Sequence, residues 1–247
     1  MTVNAAAYAA HAATWDWDGF DNTAEYERWL QCARPYGNRV LLPMCALGEL
    51  GAFMARRGCS VTAFDMTPEM IAEGQKRFGA VENLTLQVGD VCSLASEQEF
   101  DFCLIKDNDL HLLADLDAVR RALTAIAQHV RAGGGLVLVL TLPDRASFET
   151  PWEAYPPRVP KQGGPKVWKE GRCRYDAASK RFHIKQIVHV DDAQFPCEVT
   201  LQYYARGVFL RVLRDCGWVL RSENRDQGWV LECVKKEAGC DGQYSKS

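Results

Sequence analysis

Between residues 38 and 140, short apolar runs alternate with segments whose apolar residues recur at helical spacing. Residues 39–42 predict a strand, 49–57 a helix ending near Gly58, and 60–64 a second strand. Thr67 and Pro68 open the next helix, because a hydroxyl suits the N-cap and the missing proline N–H costs nothing in the first turn. Residues 84–88 and 100–105 read as a third and a fourth strand. From 116 to 131, Val119, Leu123, Ile126, Ala127 and Val130 share one helical face. Gly133, Gly134 and Gly135 are expected to stop that helix. The apolar run over 136–140 has the signature of a strand buried on both faces. Such alternation means βαβ units and an α/β, doubly wound, mostly parallel sheet.

Beyond residue 142 the pattern changes. Six of the ten prolines fall between Pro143 and Pro165, and that stretch is expected to be mostly irregular. Residues 181–190 put Phe182, Ile184, Val188 and Val190 on one side of a strand. Residues 195–203 do the same with Phe195, Cys197, Val199, Leu201 and Tyr203, and 191–194 read as the turn of an inserted antiparallel hairpin. A helix over 205–216 carries Val208, Leu210, Val212 and Leu213, and 218–222 with 229–234 make a closing hairpin. The expected organisation is a single domain over 1–247. It comprises a leading segment over 1–37, a core over 38–142, a substrate-covering insertion over 143–204, and a helix with closing hairpin over 205–236.

Composition narrows the function. With 247 residues, 47% of them hydrophobic and 25% charged, the chain has ample material for a core and is unlike disordered or collagenous sequences. No run approaches the roughly 18 apolar residues of a membrane helix, and the Ala-rich start lacks the basic and apolar regions of an export signal. The net charge of -3 comes without a dense Lys/Arg stripe, against a nucleic-acid groove. The expectation is a cytoplasmic monomer or homodimer acting on a small molecule, with no nucleic-acid or membrane partner. No two of the ten cysteines stand three residues apart, and no Cys/His cluster has zinc spacing, so reduced thiols and no metal are expected.

In open parallel sheets, ligands sit at the carboxyl ends of the strands. Four such ends can be read here: 43–51 after the first strand, Asp65-Met66 after the second, Gly89-Asp90-Val91 after the third, and 106–112 after the fourth. This set resembles the class I S-adenosylmethionine-dependent methyltransferases, in the small-molecule branch similar to glycine and sugar-amine N-methyltransferases. The resemblance covers 38–142 by motif order and the remainder by architecture. It implies a seven-stranded Rossmann-like sheet with an N-terminal helical lid, S-adenosylmethionine as cofactor and S-adenosylhomocysteine as product. By that resemblance Asp65 takes the ribose hydroxyls, Met66 packs on adenine, Asp90 reaches the adenine amino group and Val91 offers its N–H to the ring. The family's first loop has an acid and then three glycines at alternate positions. Here those positions hold Leu42, Met44, Ala46 and Gly48. Glycine at 48 permits positive φ, whereas Met44 and Ala46 are expected to take extended or helical dihedrals and crowd the loop. Pro43-x-Cys45 is similar to the loop of thiol and halide methyltransferases. A nicotinamide-binding domain is the competing reading, but Gly48-x-x-Gly51 supplies only half of its glycine motif.

The cofactor set is completed by Cys45 and by Lys106, a cation for the cofactor carboxylate. His111 is the candidate general base, by resemblance to a His-Leu pair in the sugar-amine branch; the alternative is a histidine starting a helix and satisfied by backbone. Asp107 and Tyr8 complete the catalytic set. Asp107, Asn108 and Asp109 share one loop and read as holders of amino groups or as simple caps. Before the first strand, Tyr26, Trp29 and Leu30 suit a helix packed on the core. Tyr8, Trp15 and Trp17 suit an aromatic lid favouring a flat or cationic ligand. Asn108, Tyr203 and Arg206 join Trp15 and Trp17 as substrate-binding candidates. Arg158, Lys161, Lys166 and Arg174 either face the cleft, and then select an anionic substrate, or are surface charge. An amine nitrogen is the first acceptor expected, then oxygen, then sulfur or halide. A catalytically silent binding protein of the same fold is the non-enzymatic alternative.

Overall fold

The computed structural model describes residues 9, 12, 20–107, 109–140, 149–156, 160–225 and 229–237. Tyr8, Trp15, Trp17, Asn108 and Arg158 lie outside the described residues. Helix α1 (Thr23–Ala33) precedes the alternating units β1 (Arg39–Pro43), α2 (Glu49–Ala55), β2 (Ser60–Asp65), α3 (Pro68–Phe78), β3 (Leu84–Val88), β4 (Phe100–Ile105), α4 (Leu116–His129) and β5 (Val130–Leu140). An antiparallel group β6 (Thr150–Ala154), β7 (Val167–Asp176), β8 (Arg181–Val190) and β9 (Ala193–Gln202) follows. Helix α5 (Arg206–Asp215) and the strands β10 (Trp218–Asn224) and β11 (Trp229–Lys235) close the chain.

One sheet of seven strands runs β10-β11-β5-β4-β1-β2-β3, parallel from β5 to β3 and antiparallel at β10 and β11. Period-2 alternation sends consecutive residues to opposite faces. Val40 and Leu42 of β1, Phe102 and Leu104 of β4, and Val137 of β5 pack against Trp29 and Leu30 of α1 and Met54 of α2. Their neighbours Leu41, Cys103, Ile105, Leu136 and Leu138 pack on the other face against Val119 and Leu123 of α4 and Phe209 of α5. Both parities are apolar because both faces are covered. As expected, Tyr26, Trp29 and Leu30 are buried. The strand order reverses between β1 and β4, which opens the ligand crevice at their carboxyl ends.

Three expectations are corrected. Helix α4 stops at His129, and the three glycines belong to β5 rather than ending the helix. A Cβ on Gly135 would stand 2.6 Å from the Tyr36 ring and one on Gly134 2.6 Å from Val130 Cγ1, so close packing selects glycine there. The inserted hairpin β8–β9, with its turn at Asp191-Asp192, is half of a four-stranded sheet, order β6-β7-β8-β9. Its edge strands carry Pro151 and Pro196, where a missing N–H breaks no ladder bond and blunts the edge. In α5 the buried anchor is Phe209, whereas Val208 is exposed.

At the opposite end of the parallel strands, Asp101 ties three segments together. Its carboxylate accepts from Arg39 N (3.0 Å), Arg39 Nη2 (2.9 Å) and Arg131 Nε (3.0 Å), and Arg131 Nη2 donates to the Tyr36 carbonyl (2.6 Å). Burial alone would raise the Asp101 pKa, but the Arg39 and Arg131 donors outweigh it and hold the group at about 2. A folded pKa below the unfolded value of about 3.9 adds stability that is present above that pH and lost as pH falls toward 2. Asp101→Asn should therefore cost about 2 kcal/mol at neutral pH. In denaturant titrations the gap from wild type should narrow between about pH 4 and 2.

Candidate active site

The carboxyl ends of β1 to β4 open into a cavity of about 730 Å³. The first loop, 44–48, forms its floor. Met44 (φ 57°), Ala46 (φ 50°) and Gly48 (φ 81°) all lie in the left-handed region. The loop thus takes left-handed backbone at all three alternating positions, two of which carry side chains, contrary to the extended or helical dihedrals expected. Asp65, ending β2, holds this shape: one carboxylate oxygen accepts from Ala46 N and the other from Thr67 N, each at 2.9 Å. Cys45 N donates to the Phe64 carbonyl (3.0 Å). A side chain at Gly48 would be strained by the left-handed backbone and would displace Leu86, whose Cδ2 a Cβ would meet at 2.4 Å. Burial, and next Asp65, push the Cys45 thiol well above its ordinary pKa, so it stays protonated.

Met66 lines the cavity and is 44% exposed, an apolar face waiting beside the Asp65 carboxylate. Asp90, ending the loop after β3, caps the short turn at 91–93 by accepting from Cys92 N (2.8 Å). Asp65, Met66, Asp90 and Val91 thus converge on one side of the crevice, with Met44, Cys45, Ala46 and Gly48 below. These donors and acceptors suit a nucleoside: paired oxygens for a diol, an apolar face and a second acid for a purine.

On the other side, Lys106 extends from β4 and reaches Glu25 Oε1 of α1 (3.3 Å) and the Asp107 carboxylate. Burial would lower its pKa, but Asp107 and Glu25 outweigh that and raise it, so Lys106 is charged. Tyr26 of α1 donates to Glu49 Oε2 at the start of α2 (2.6 Å). Helix α1 is thereby pinned to both sides of the crevice. Asp107, held at φ 56°, and Asp109 line the cavity.

The inner face of the antiparallel sheet supplies the opposite wall. Lys169 of β7, Ile184 and Gln186 of β8, and Val199 and Leu201 of β9 line the cavity. Lys161, Lys166 and Arg174 do not line it. Three candidates chosen from sequence also stand elsewhere. Arg206 Nε donates to Glu223 Oε1 (2.9 Å), and Tyr203 packs edge-on against Tyr175 and Phe182. His111 is buried beneath the cavity, stacked on Tyr204, with Nδ1 donating to the Gln202 carbonyl (2.8 Å). Nε2 is enclosed without a partner, and burial lowers the ring's pKa against the Gln202 bond, leaving a neutral ring. In this place His111 joins the segment after β4 to the end of β9, as Arg181 does by donating to the Ala114 carbonyl (3.4 Å). Sequence reasoning missed Tyr26 and Glu49 as a latch, and Lys169 and Gln186 as wall. Only the side-chain parity of β8 pointed to Gln186.

Among the described residues, no group of three or more His, Cys, Asp or Glu side chains could hold a metal, and no helix is long and apolar enough to cross a membrane. Residues 40–134 match a family model described as "Methyltransferase domain". A sequence search of curated proteins finds no match. Among solved structures, DesVI of Streptomyces venezuelae superposes with a TM-score of 0.75 at 14% identity, covering 90% of this chain and 95% of that one. CalS10 of Micromonospora echinaspora, an amino pentose methyltransferase with bound S-adenosylmethionine, gives 0.71 at 18% identity, covering 92% and 97%. The sugar N-methyltransferase KedS8 of a Streptoalloteichus species gives 0.69 at 18% identity, covering 88% and 89%. The architecture is that of the class I methyltransferases.

A left-handed non-glycine residue costs about 1–2 kcal/mol. Ala46→Gly and Met44→Gly should therefore each stabilise the fold by about 1 kcal/mol in denaturant titrations, with cofactor affinity equal or improved. A loss of affinity in calorimetry would show that the two side chains contribute contacts of their own.

Proposed function

We propose that this S-adenosylmethionine-dependent methyltransferase acts on the amine nitrogen of a small molecule. The observation that carries the reading is the convergence of Asp65 and Asp90, from the ends of adjacent strands, on one cavity with Met66 exposed beside them. Bound there, S-adenosylmethionine supplies an electrophilic methyl group on a sulfonium sulfur. The residues of the chain supply the rest. Asp65 and Asp90 fix the nucleoside, and the backbone of 44–48 gives the chain's close approach. Lys106 presents the cation proposed for the cofactor carboxylate. Ile184, Val199 and Leu201 keep water from the reacting line, which matters because methyl transfer gains chiefly from alignment and a dry site.

The acidic side of the cavity, Asp107 and Asp109, supports a cationic acceptor, hence an amine before an alcohol. The similarity to a sugar N-methyltransferase and an amino pentose methyltransferase points the same way. Asp107 is proposed to steer the acceptor. His111, in the position found here, is proposed to hold the loop on which the acceptor rests.

Titration calorimetry is expected to show binding of S-adenosylmethionine and of S-adenosylhomocysteine. Asp65→Ala should weaken both by about 2 kcal/mol, or roughly thirtyfold. Unchanged affinity would mean that the nucleoside lies elsewhere. With methyl-labelled S-adenosylmethionine and a panel of small amines, alcohols and thiols, label is expected on amines. Transfer to alcohols alone would overturn the nitrogen assignment.

A further inference from the structure

Five carboxylates line the cavity, and four are already engaged. Glu49 accepts from the Tyr26 hydroxyl, Asp65 from two backbone N–H groups, Asp90 from Cys92 N, and Asp107 pairs with Lys106. Asp109 is the exception: only its backbone N–H is used, donating to the Lys106 carbonyl (3.1 Å), and its carboxylate accepts no hydrogen bond from the described residues. It opens the short turn Asp109–Leu112, directly after β4 and its loop. The groups whose charges reach it are Asp107, Asp65 and Lys106, and Cys45 of the first loop feels its charge in turn. Lys106 reaches Glu25 and Asp107 rather than Asp109.

We propose that the Asp109 carboxylate receives the ammonium group of the methyl acceptor and takes one of its protons, which leaves the nitrogen a lone pair for methyl transfer. The proposal rests on the functional reading above and deepens it by naming the residue that selects nitrogen. A desolvated carboxylate without donors is costly. An ammonium relieves that cost by a charge-assisted hydrogen bond in a site of low dielectric. An alcohol in the same place brings no cation to hold the group ionised and so forfeits that charge-assisted bond. Burial first, then Asp107, raises the Asp109 carboxyl well above the usual carboxylate range, so the group needs a cation beside it to ionise readily. Asp107 and Asp65 add negative potential that draws a cation inward.

The test uses two cofactor analogues and needs no knowledge of the acceptor. Sinefungin carries an amine where S-adenosylmethionine carries its transferable methyl, and S-adenosylhomocysteine carries neither. Both retain the nucleoside and the amino acid end. Calorimetry on wild type, Asp109→Asn and Asp109→Ser is expected to show sinefungin affinity falling by about tenfold or more in both variants. S-adenosylhomocysteine affinity should change by less than about twofold, which also reports that the variants are folded. Equal losses for the two analogues would place Asp109 on the cofactor's own amino group and overturn the proposal. No loss for either would overturn it as well. If wild type binds neither analogue, the cofactor reading itself fails and the proposal falls with it.

Discussion

The Asp65 carboxylate is where the fold and the candidate site meet. One oxygen holds the N–H of Ala46 and the other that of Thr67, so one side chain at the end of β2 fixes the first loop and the entry to α3. Two residues with side chains then tolerate left-handed backbone, because the surroundings over-determine it. The carboxylate retains lone pairs toward the cavity, which allows the group that shapes the floor also to face a ligand. Moving it would loosen the loop and remove a carboxylate from the cavity together.

The core was legible because its signal is local. Phe-Asp-Phe-Cys-Leu-Ile over 100–105 gave β4 because a strand buried on both faces is mostly apolar, whereas Leu-Thr-Leu-Gln-Val over 84–88 gave the edge strand β3, of which only Leu86 is buried. The acids at 65 and 90 were legible by position, Asp65 as the last residue of β2 and Asp90 as the second residue past β3. The antiparallel sheet was half legible. β8 and β9 alternate cleanly, whereas β7 reads Val-Trp-Lys-Glu-Gly-Arg-Cys-Arg-Tyr-Asp, with lysine, glycine and cysteine on the face it turns inward. Its assignment depends on pairing with β8, which local pattern does not carry. The glycines of β5 misled for a related reason: Gly135 serves the approach of Tyr36, a residue nearly one hundred positions earlier.

Side-chain roles were harder to read than strand ends. Asp109 shared one reading with its loop neighbours, holder of an amino group or simple cap, and only the hydrogen bonds of those neighbours single it out. His111 carried a chemical expectation from its residue type, yet its ring lies beneath the cavity and bonds the end of β9. Tyr26 and Glu25 were legible as helix residues but not as anchors, because their partners Glu49 and Lys106 sit on other elements. What a titratable group does is decided by the segments that meet it, and those meetings are set by topology.

The two sheets divide the cavity between them: one supplies the floor with Asp65 and Asp90, the other the wall of Lys169, Ile184, Gln186, Val199 and Leu201. They are joined near the turn after β4 through His111 and Arg181, whose partners there are backbone carbonyls and so independent of side-chain identity. The consequence is evolutionary. Substitutions along β7 to β9 redraw the wall while leaving Asp65, Asp90 and the first loop untouched, so lineages built on this plan can diverge on one side of the cavity while inheriting the other intact.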